Sequence, residues 1–221
     1  RDSVASRGLG DVYKRQIFMY QELQKGWIEV ITGPMFAGKS EELIRRVTTL
    51  SYAHKKIVAF KPKIDNRYDA SKIAAHNGNM YEAFAISDPK EILDHYDSSV
   101  QVVAIDEIQF FSKEMLPIVE YLATNGVRVI CAGLDLDFRG KPFGIMPSLL
   151  SEAEIVTKLE AACTVCGCGA TRTQRLVNGK PAKYTDPIVM VGAKESYEAR
   201  CRKHHIVPNS PSFDFIPSKE E

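Results

Sequence analysis

The chain has 221 residues, of which 44% are hydrophobic and 26% are charged, and its formal net charge is +1. A chain of this length buries a sizeable core without disulfide support, and its balanced charge argues against a protein dedicated to nucleic acids or membrane surfaces. It has no apolar run near the roughly 20 residues of a membrane span and no signal-peptide pattern. We therefore expect an ordinary soluble enzyme of the reducing cytoplasm, with neither a membrane nor a nucleic acid as partner.

Secondary-structure patterns begin at Trp27 and alternate between apolar strands and amphipathic helices. The predicted strands span residues 27–32, 56–60, 102–105, 127–131 and 155–159. One helix is predicted after the first strand, a short one at Asp88-Pro89, and a third over about residues 112–124. Strands that alternate with helices indicate an α/β fold, with a mainly parallel sheet flanked by helices.

The two ends of the chain differ from its middle. Residues 1–25 show no strand or helix period, and residues 208–221 contain three prolines. We expect both segments to be tails outside the fold, the first of them disordered or non-native and the second disordered.

A glycine-rich motif follows the first strand and opens the first helix. It satisfies the G-x-x-x-x-G-K-[ST] pattern of a phosphate-binding loop and consists of Gly33, Pro34, Met35, Phe36, Ala37, Gly38, Lys39 and Ser40. Its glycines let backbone N–H groups close around phosphate oxygens at a helix N-terminus, whose partial positive charge favours anions. Lys39 would reach the β and γ phosphates of ATP, and Ser40 would place its hydroxyl on Mg²⁺. The sequence therefore predicts a P-loop (RecA-like) fold that binds ATP with Mg²⁺.

Two acids end the buried strand at residues 102–105. Asp106 is the expected partner of Mg²⁺, and Glu107 is placed to accept a proton from an attacking nucleophile. The carboxyl ends of parallel strands line the crevice where α/β sheets bind ligands. Loop and acids together predict phosphoryl transfer. The same pattern occurs in ATP-driven nucleic-acid motors, so a P-loop ATPase acting on nucleic acid is the alternative.

Four of the five cysteines lie between residues 163 and 201. A C-x-x-C pair and a C-x-x-H pair fit a closed tetrahedral zinc site, and the preferred ligands are Cys163, Cys166, Cys201 and His204. Cys168 and His205 are rival ligands, and His205 could replace His204. Four protein ligands leave no open position, so this zinc is predicted to be structural.

These motifs together resemble the type II, cytosolic-type thymidine kinases over about residues 26–207. The matching segments are the phosphate loop, Asp65-Asn66-Arg67-Tyr68, Asp106-Glu107-Ile108-Gln109-Phe110, residues 134–144 and the divided cysteine pairs. The chain departs from many relatives at His204, where a cysteine is common, and in its additional Cys168. The resemblance implies a P-loop nucleotide-binding domain at residues 26–160 and a small zinc-binding lasso domain at residues 161–207.

The resemblance also implies the roles of individual residues. Glu107 would deprotonate the 5′-hydroxyl of thymidine, while Lys39 and Arg67 would stabilise charge on the transferred γ-phosphoryl group. Thymine would occupy an apolar pocket that includes Met35, Phe110, Leu134, Phe138 and Phe143.

A loop pinned by the zinc pairs, at about residues 184–197, would close over the thymine base. Backbone groups around Val189 and Val191 would bind the base edge, and Tyr197 would contact the sugar. The family is typically tetrameric, so the resemblance implies a homotetramer whose substrates are thymidine and ATP.

Overall fold

The computed structural model describes residues 26–63, 72–74, 80–188 and 195–211. In chain order its strands are β1 (Trp27–Thr32), β2 (Ile57–Pro62), β3 (Lys72–Ala74), β4 (Met80–Glu82), β5 (Phe84–Ile86), β6 (Val102–Ile105), β7 (Arg128–Gly133), β8 (Ile155–Lys158), β9 (Ala161–Ala162), β10 (Gly169–Ala170), β11 (Arg172–Val177), β12 (Lys180–Pro181) and β13 (Glu195–Arg200). The helices are α1 (Lys39–Tyr52), α2 (Glu91–Asp94), α3 (Met115–Thr124) and α4 (Met146–Glu152), with a 3₁₀ turn at Ile108–Phe110. Within these ranges, no helix is both long and apolar enough to cross a membrane.

Six of the described strands form one sheet, here called the main sheet, in the order β5-β2-β6-β7-β1-β8. Each neighbouring pair in it is parallel. All residues of β6 are buried, as a continuous apolar run predicts for a strand that is covered on both faces. The α/β fold expected from the sequence, with a parallel sheet flanked by helices, is confirmed.

Side chains that alternate along the strands fill two apolar cores, one on each face of the main sheet. On β1, Ile28 and Val30 belong to the core that packs against α3 and α4, whereas Ile31 belongs to the core that packs against α1. Helix α1 contributes Leu43 and Val47 to the second core, because residues four positions apart lie on one helix face. Each fully buried side chain of this kind stabilises the fold by about 1.5–3 kcal/mol.

A carboxylate is buried between the main sheet and α1. The Glu29 side chain on β1 is 1% exposed and accepts hydrogen bonds from Arg46 at 2.8 Å and Arg128 at 2.5 Å. The Trp27 indole donates to the same carboxylate at 2.7 Å, and Arg46 also donates to Thr157 on β8 at 2.9 Å. The buried charge is therefore paired on several sides, which is the condition under which a protein interior tolerates one.

Two helices begin later than the sequence patterns predict. Asp88 does not open α2; its carboxylate accepts the N–H of Lys90 at 2.9 Å in a turn, and the helix starts at Glu91. Similarly, the carbonyl of Ser112 accepts the N–H of Met115 at 3.1 Å, and α3 starts only there. In each case a tight turn with bonds between residues three apart precedes the α-helix.

The chain after β8 forms small antiparallel sheets. Strand β9 pairs with β10, and β11 lies between β12 and β13. Hydrogen bonds between described residues connect this part to the rest of the molecule. The hydroxyl of Thr173 on β11 accepts the N–H of Met35 at 3.0 Å, and a ring nitrogen of His205 donates to the carbonyl of Phe138 at 2.8 Å.

Candidate active site

The phosphate-loop motif lies between the end of β1 and the first turn of α1. Gly33 has a φ of 143° and Gly38 a φ of 80°, both in the region that favours glycine. Phe36 also has a positive φ, 65°. A β-carbon at position 33 would lie 2.4 Å from the carbonyl oxygen of Leu159, so this turn requires a residue without a side chain.

The start of α1 and an adjacent lysine create an electropositive site beside the loop. The N-cap residue is Gly38 and no side chain caps the helix, so its first N–H groups have no partner within the helix. The Lys39 side chain is largely buried, and its ammonium donates to the carbonyl of Pro34 at 2.8 Å. A helix N-terminus beside an amine is suited to bind phosphate.

The structure brings together the two predicted magnesium ligands. Ser40 Oγ donates to Asp106 Oδ2 at 2.9 Å, although these residues are 66 positions apart. Asp106 follows β6 and is buried, and this burial, together with the charge of Glu107, raises its pKa to about 7. A hydroxyl and a carboxylate are oxygen donors of the kind that Mg²⁺ prefers, and a bound cation would favour the ionised carboxylate. The residues therefore fit magnesium.

Glu107 is held in an unusual backbone conformation. Its φ is 50°, a left-handed value that is uncommon for a residue with a side chain and typical of functional sites. Its carboxylate accepts a hydrogen bond from Gln109 at 2.5 Å, and Gln109 accepts the N–H of Leu134 at 3.0 Å. Nothing in the sequence marks this role of Gln109, because no local spacing points to a partner 25 positions away.

Aromatic residues of the predicted thymine pocket fall into two groups. The rings of Phe110 and Phe143 lie edge to face, with centroids 5.6 Å apart. Phe138 is buried, and the guanidinium carbon of Arg175 lies 5.1 Å from its ring centre. Tyr197 is half-buried on β13, opposite Arg175 on β11.

The remaining predicted pocket residues are fixed through their backbones. Met35 donates its N–H to Thr173, and Leu134 donates its N–H to Gln109. The sequence does not reveal the contact of Thr173 with the phosphate loop, since 138 positions separate it from Met35 and no motif marks it.

Asp137 organises the loop at residues 134–144, which carries much of the predicted pocket. Its buried carboxylate accepts the backbone N–H groups of Arg139 at 2.9 Å and Lys141 at 3.0 Å. The Arg139 guanidinium also donates to it at 2.7 Å. Backbone bonds from Asp137 to Lys141 at 2.8 Å and from Phe143 to Asp135 at 3.0 Å close the loop. This irregular segment is therefore defined by hydrogen bonds instead of by a helix or strand.

Three of the sequence-predicted site residues lie outside the described residues: Arg67, Val189 and Val191. Their roles stay predictions.

A cluster of four side chains joins the turn after β9 to the turn after β13. The ligand atoms of Cys163, Cys166, Cys201 and His204 all lie within 4.8 Å of one another. The sulfurs of Cys166 and Cys201 are 3.8 Å apart, which is the spacing of about 3.8 Å expected for two thiolates on a tetrahedral zinc with Zn–S bonds of about 2.3 Å. The cluster thus fits a structural zinc ion.

The protonation of Cys163 also suits a zinc ligand. Burial alone would raise the pKa of this thiol, but N–H donors of Cys201, Val165 and Cys166 outweigh burial and lower the pKa to about 5. The thiolate, which is the form that binds zinc, is therefore favoured at neutral pH.

Both rival ligands are placed outside this cluster. His205 directs a ring nitrogen to the carbonyl of Phe138. Cys168 is exposed, and its backbone carbonyl accepts the N–H of Cys163 at 2.8 Å. Its thiol contacts that of Cys166, but its sulfur is not one of the four ligand atoms that lie within 4.8 Å of one another. Among the residues that the structure describes, the fourth side chain of the cluster is therefore His204.

Three of the basic residues near the cluster are partly or fully buried within the protein. Arg175 is fully buried and donates to the carbonyl of Pro187 at 2.5 Å. Arg200 pairs with Glu198, and Arg172 is half-buried. The other basic residues near the cluster, Lys180, Arg202 and Lys203, are exposed.

Comparison with known protein families agrees with this geometry. The family model described as thymidine kinase matches residues 26–205. The matched range contains the phosphate loop, the two acids after β6 and the whole Cys/His cluster. It covers well over half of the 221 residues, and the chain therefore belongs to the thymidine kinase family.

Proposed function

We propose that this chain is a thymidine kinase that transfers the γ-phosphoryl group of ATP to the 5′-hydroxyl of thymidine and so produces dTMP for nucleotide salvage. The observation that carries the proposal is the 2.9 Å hydrogen bond between Ser40 and Asp106, beside Glu107. It joins a phosphate loop to a strand-end acid, in a chain of the thymidine kinase family. Deoxyuridine is a further acceptor, because the loss of one methyl group in an apolar pocket costs only about 1–3 kcal/mol.

The donor phosphates are assigned to the loop at residues 33–40. Its backbone N–H groups surround the phosphates, except at Pro34, which has none, and at Met35, whose N–H donates to Thr173. Lys39 turns from the Pro34 carbonyl to the β and γ phosphates. Ser40 and Asp106 hold Mg²⁺, which when bound neutralises negative charge on the phosphates.

The chemical step is assigned to Glu107. Its carboxylate takes the proton of the 5′-hydroxyl as that oxygen bonds to the γ-phosphorus, while the bond from phosphorus to the β–γ bridging oxygen breaks and ADP leaves. Such a base contributes typically about 10²- to 10⁴-fold in rate. Arg67 adds positive charge at the transferring group, an assignment that rests on its motif.

The acceptor site is assigned to the apolar side chains of Met35, Phe110, Leu134, Phe138 and Phe143. The edge-to-face packing of Phe110 on Phe143 supports a wall for a flat base. Backbone groups of Val189 and Val191 bind the base edge, and Tyr197 binds the sugar. The Cys163, Cys166, Cys201 and His204 site holds zinc as a structural clamp for this loop.

In this proposal residues 26–160 act as the nucleotide-binding domain and residues 161–207 as the zinc and lasso domain. The active assembly is a homotetramer, as the resemblance implies. Analytical ultracentrifugation of the purified protein tests the assembly, and a monomer or dimer at assay concentration would contradict it.

The activity is tested by incubating the protein with labelled ATP and Mg²⁺ together with thymidine, deoxyuridine, deoxycytidine or no acceptor. We expect label on thymidine, a lower kcat/KM for deoxycytidine, and a fall of at least about 100-fold in kcat for Glu107→Gln. ATP hydrolysis that needs no nucleoside and is stimulated by DNA would overturn the kinase assignment in favour of a motor.

A further inference from the structure

The buried carboxamide of Gln109 uses both of its ends. Its Nε2 donates to Glu107 Oε2 at 2.5 Å, and its Oε1 accepts the N–H of Leu134 at 3.0 Å. A flipped carboxamide would set an oxygen against a carboxylate and an amine against an N–H, so only one orientation satisfies both neighbours. Gln109 therefore fixes the direction of the Glu107 carboxylate.

The chain approaches Gln109 closely at two glycines. A β-carbon at position 133 would lie 2.5 Å from Gln109 Oε1, and one at position 144 would lie 2.4 Å from the Gln109 carbonyl oxygen. Gly144 also has a φ of 49°, which favours glycine. The side chain and the backbone of Gln109 are thus each enclosed by a close approach of neighbouring chain, as in a tightly packed interior.

From this arrangement we propose that Gln109 is a positioning residue for Glu107, which holds Oε2 so that Oε1 faces the hydroxyl of the acceptor. The inference rests on the proposed function, because it requires Glu107 to be the proton acceptor. Gln109 itself transfers no proton; it keeps both hydrogen bonds while Glu107 takes the proton.

The hydrogen bonds of Gln109 also connect Glu107 to the predicted acceptor pocket. Leu134, whose N–H donates to Gln109, is the first residue of the loop that carries Phe138 and Phe143. A displacement of this loop therefore moves the partner that holds the Gln109 carboxamide. Two hydrogen bonds therefore couple the orientation of the Glu107 carboxylate to the position of the loop that forms the wall of the predicted pocket.

The test is a double-mutant cycle between positions 107 and 109. Gln109→Met keeps most of the volume but removes both polar ends, and we expect kcat to fall on the order of 100-fold, as misplacement of a reacting group does. KM for ATP should stay unchanged. In a Glu107→Gln background the same substitution should cost no further activity, because residues that act as one unit are not additive.

Two further variants keep the test decisive if Gln109→Met does not fold. Gln109→Glu retains an acceptor for Leu134 but places a carboxylate against Glu107, and Gly133→Ala displaces the Gln109 oxygen while both functional side chains remain. Each should lower kcat in the wild-type background only. Gln101→Met, at an exposed glutamine before β6, is the matched control and should leave kcat unchanged.

An equal fall in kcat in both backgrounds, or a change in KM alone, overturns the role of Gln109. An inactive wild-type protein, or a fully active Glu107→Gln variant, overturns the proposed function instead. The two failures are therefore distinguishable.

Discussion

Burial raises the pKa of Asp106 to about 7, and the negative charge of Glu107 adds to this effect. The folded protein therefore binds this proton more tightly than the unfolded chain, in which an aspartate has a pKa of about 3.9. Stability from the protonated form is present at low pH and is lost as the pH rises from about 4 to about 7. Above that range the ionised carboxylate lowers the free energy of unfolding.

The Asp106→Asn variant should consequently be more stable and less active than the wild type. At pH 8 without nucleotide we expect a gain of about 1–2 kcal/mol in the free energy of unfolding, and a smaller gain at pH 5. With MgATP and thymidine we expect kcat/KM to fall on the order of 1000-fold. Thermal unfolding at both pH values and steady-state kinetics measure these effects.

Asp137→Asn is the matched control, because Asp137 is also buried but is paired with Arg139. It should lose stability at both pH values, since it leaves a cation with a weaker partner. Lower stability of Asp106→Asn at pH 8 would contradict the sign of the effect at Asp106.

At the scale of elements, helix α1 is stabilised in its first turn by Glu42. Its carboxylate accepts hydrogen bonds from Arg45 at 2.6 Å and Arg46 at 2.8 Å. These arginines lower the pKa of Glu42 to about 2, and the hydrogen bond from Arg45 has the largest effect. This contribution is present above about pH 4.5 and is lost as the pH falls towards about 2, because the folded protein must then protonate a paired carboxylate.

We expect Glu42→Gln to cost about 0.5–1 kcal/mol at pH 7, a small value because the pair is partly exposed to solvent. The difference from the wild type should shrink as the pH falls below about 4.5. Urea unfolding at pH 7 and pH 4 measures it. Glu41→Gln in the same turn is the control, since no arginine lies within salt-bridge distance of Glu41 in the described parts of the chain. A pH-independent difference would rule out the ion pairs as its origin.

The two glycines of the phosphate loop should differ in their tolerance of a side chain. Both have a positive φ. Among the described residues, a β-carbon at position 38 would meet the Glu41 side chain alone, at 3.6 Å, whereas one at position 33 would lie 2.4 Å from a backbone oxygen. We expect Gly38→Ala to cost about 1–2 kcal/mol and Gly33→Ala to cost more, as measured by urea unfolding. Equal costs would mean that conformation alone, without the close approach, sets the requirement at Gly33.

At the scale of the whole molecule, the Cys/His cluster holds together two turns that are far apart in the sequence. Cys163→Ser should lower the bound zinc from about one ion per chain and lower the melting temperature, because a site with four protein ligands contributes to folding. Cys168→Ser and His205→Ala should retain the zinc, because neither residue belongs to the cluster. Metal analysis by mass spectrometry and thermal unfolding check both statements. Zinc loss in Cys168→Ser would reassign the ligands.

Sequence alone predicts the features that depend on neighbouring residues. The phosphate loop, the two acids after β6 and the cysteine pairs are all short motifs with fixed spacing, so their chemistry is readable without a structure. The alternation of apolar runs likewise predicts the parallel sheet. The starts of α2 and α3 were predicted too early, because the turns at Asp88 and Ser112 use hydrogen bonds between residues three apart.

What the sequence leaves open depends on contacts between distant segments. His204 lies in the Cys/His cluster, whereas His205 contacts the Phe138 carbonyl, 67 positions away. The position of Gln109 depends on Leu134 and on two glycines, which come from other parts of the chain. No local pattern encodes such contacts, since they exist only when the elements have packed.

The hydrogen bond from Met35 to Thr173 affects whether the part of the chain that carries the phosphate-loop motif can be used on its own. A truncated chain that ends before β11 would retain the whole phosphate-loop motif but lose the acceptor that satisfies one of its backbone donors. Grafting or excising the motif-bearing half would thus expose a backbone N–H group that the intact chain keeps bonded. The conformation of the phosphate-loop motif is in this respect set in part by a contact from β11.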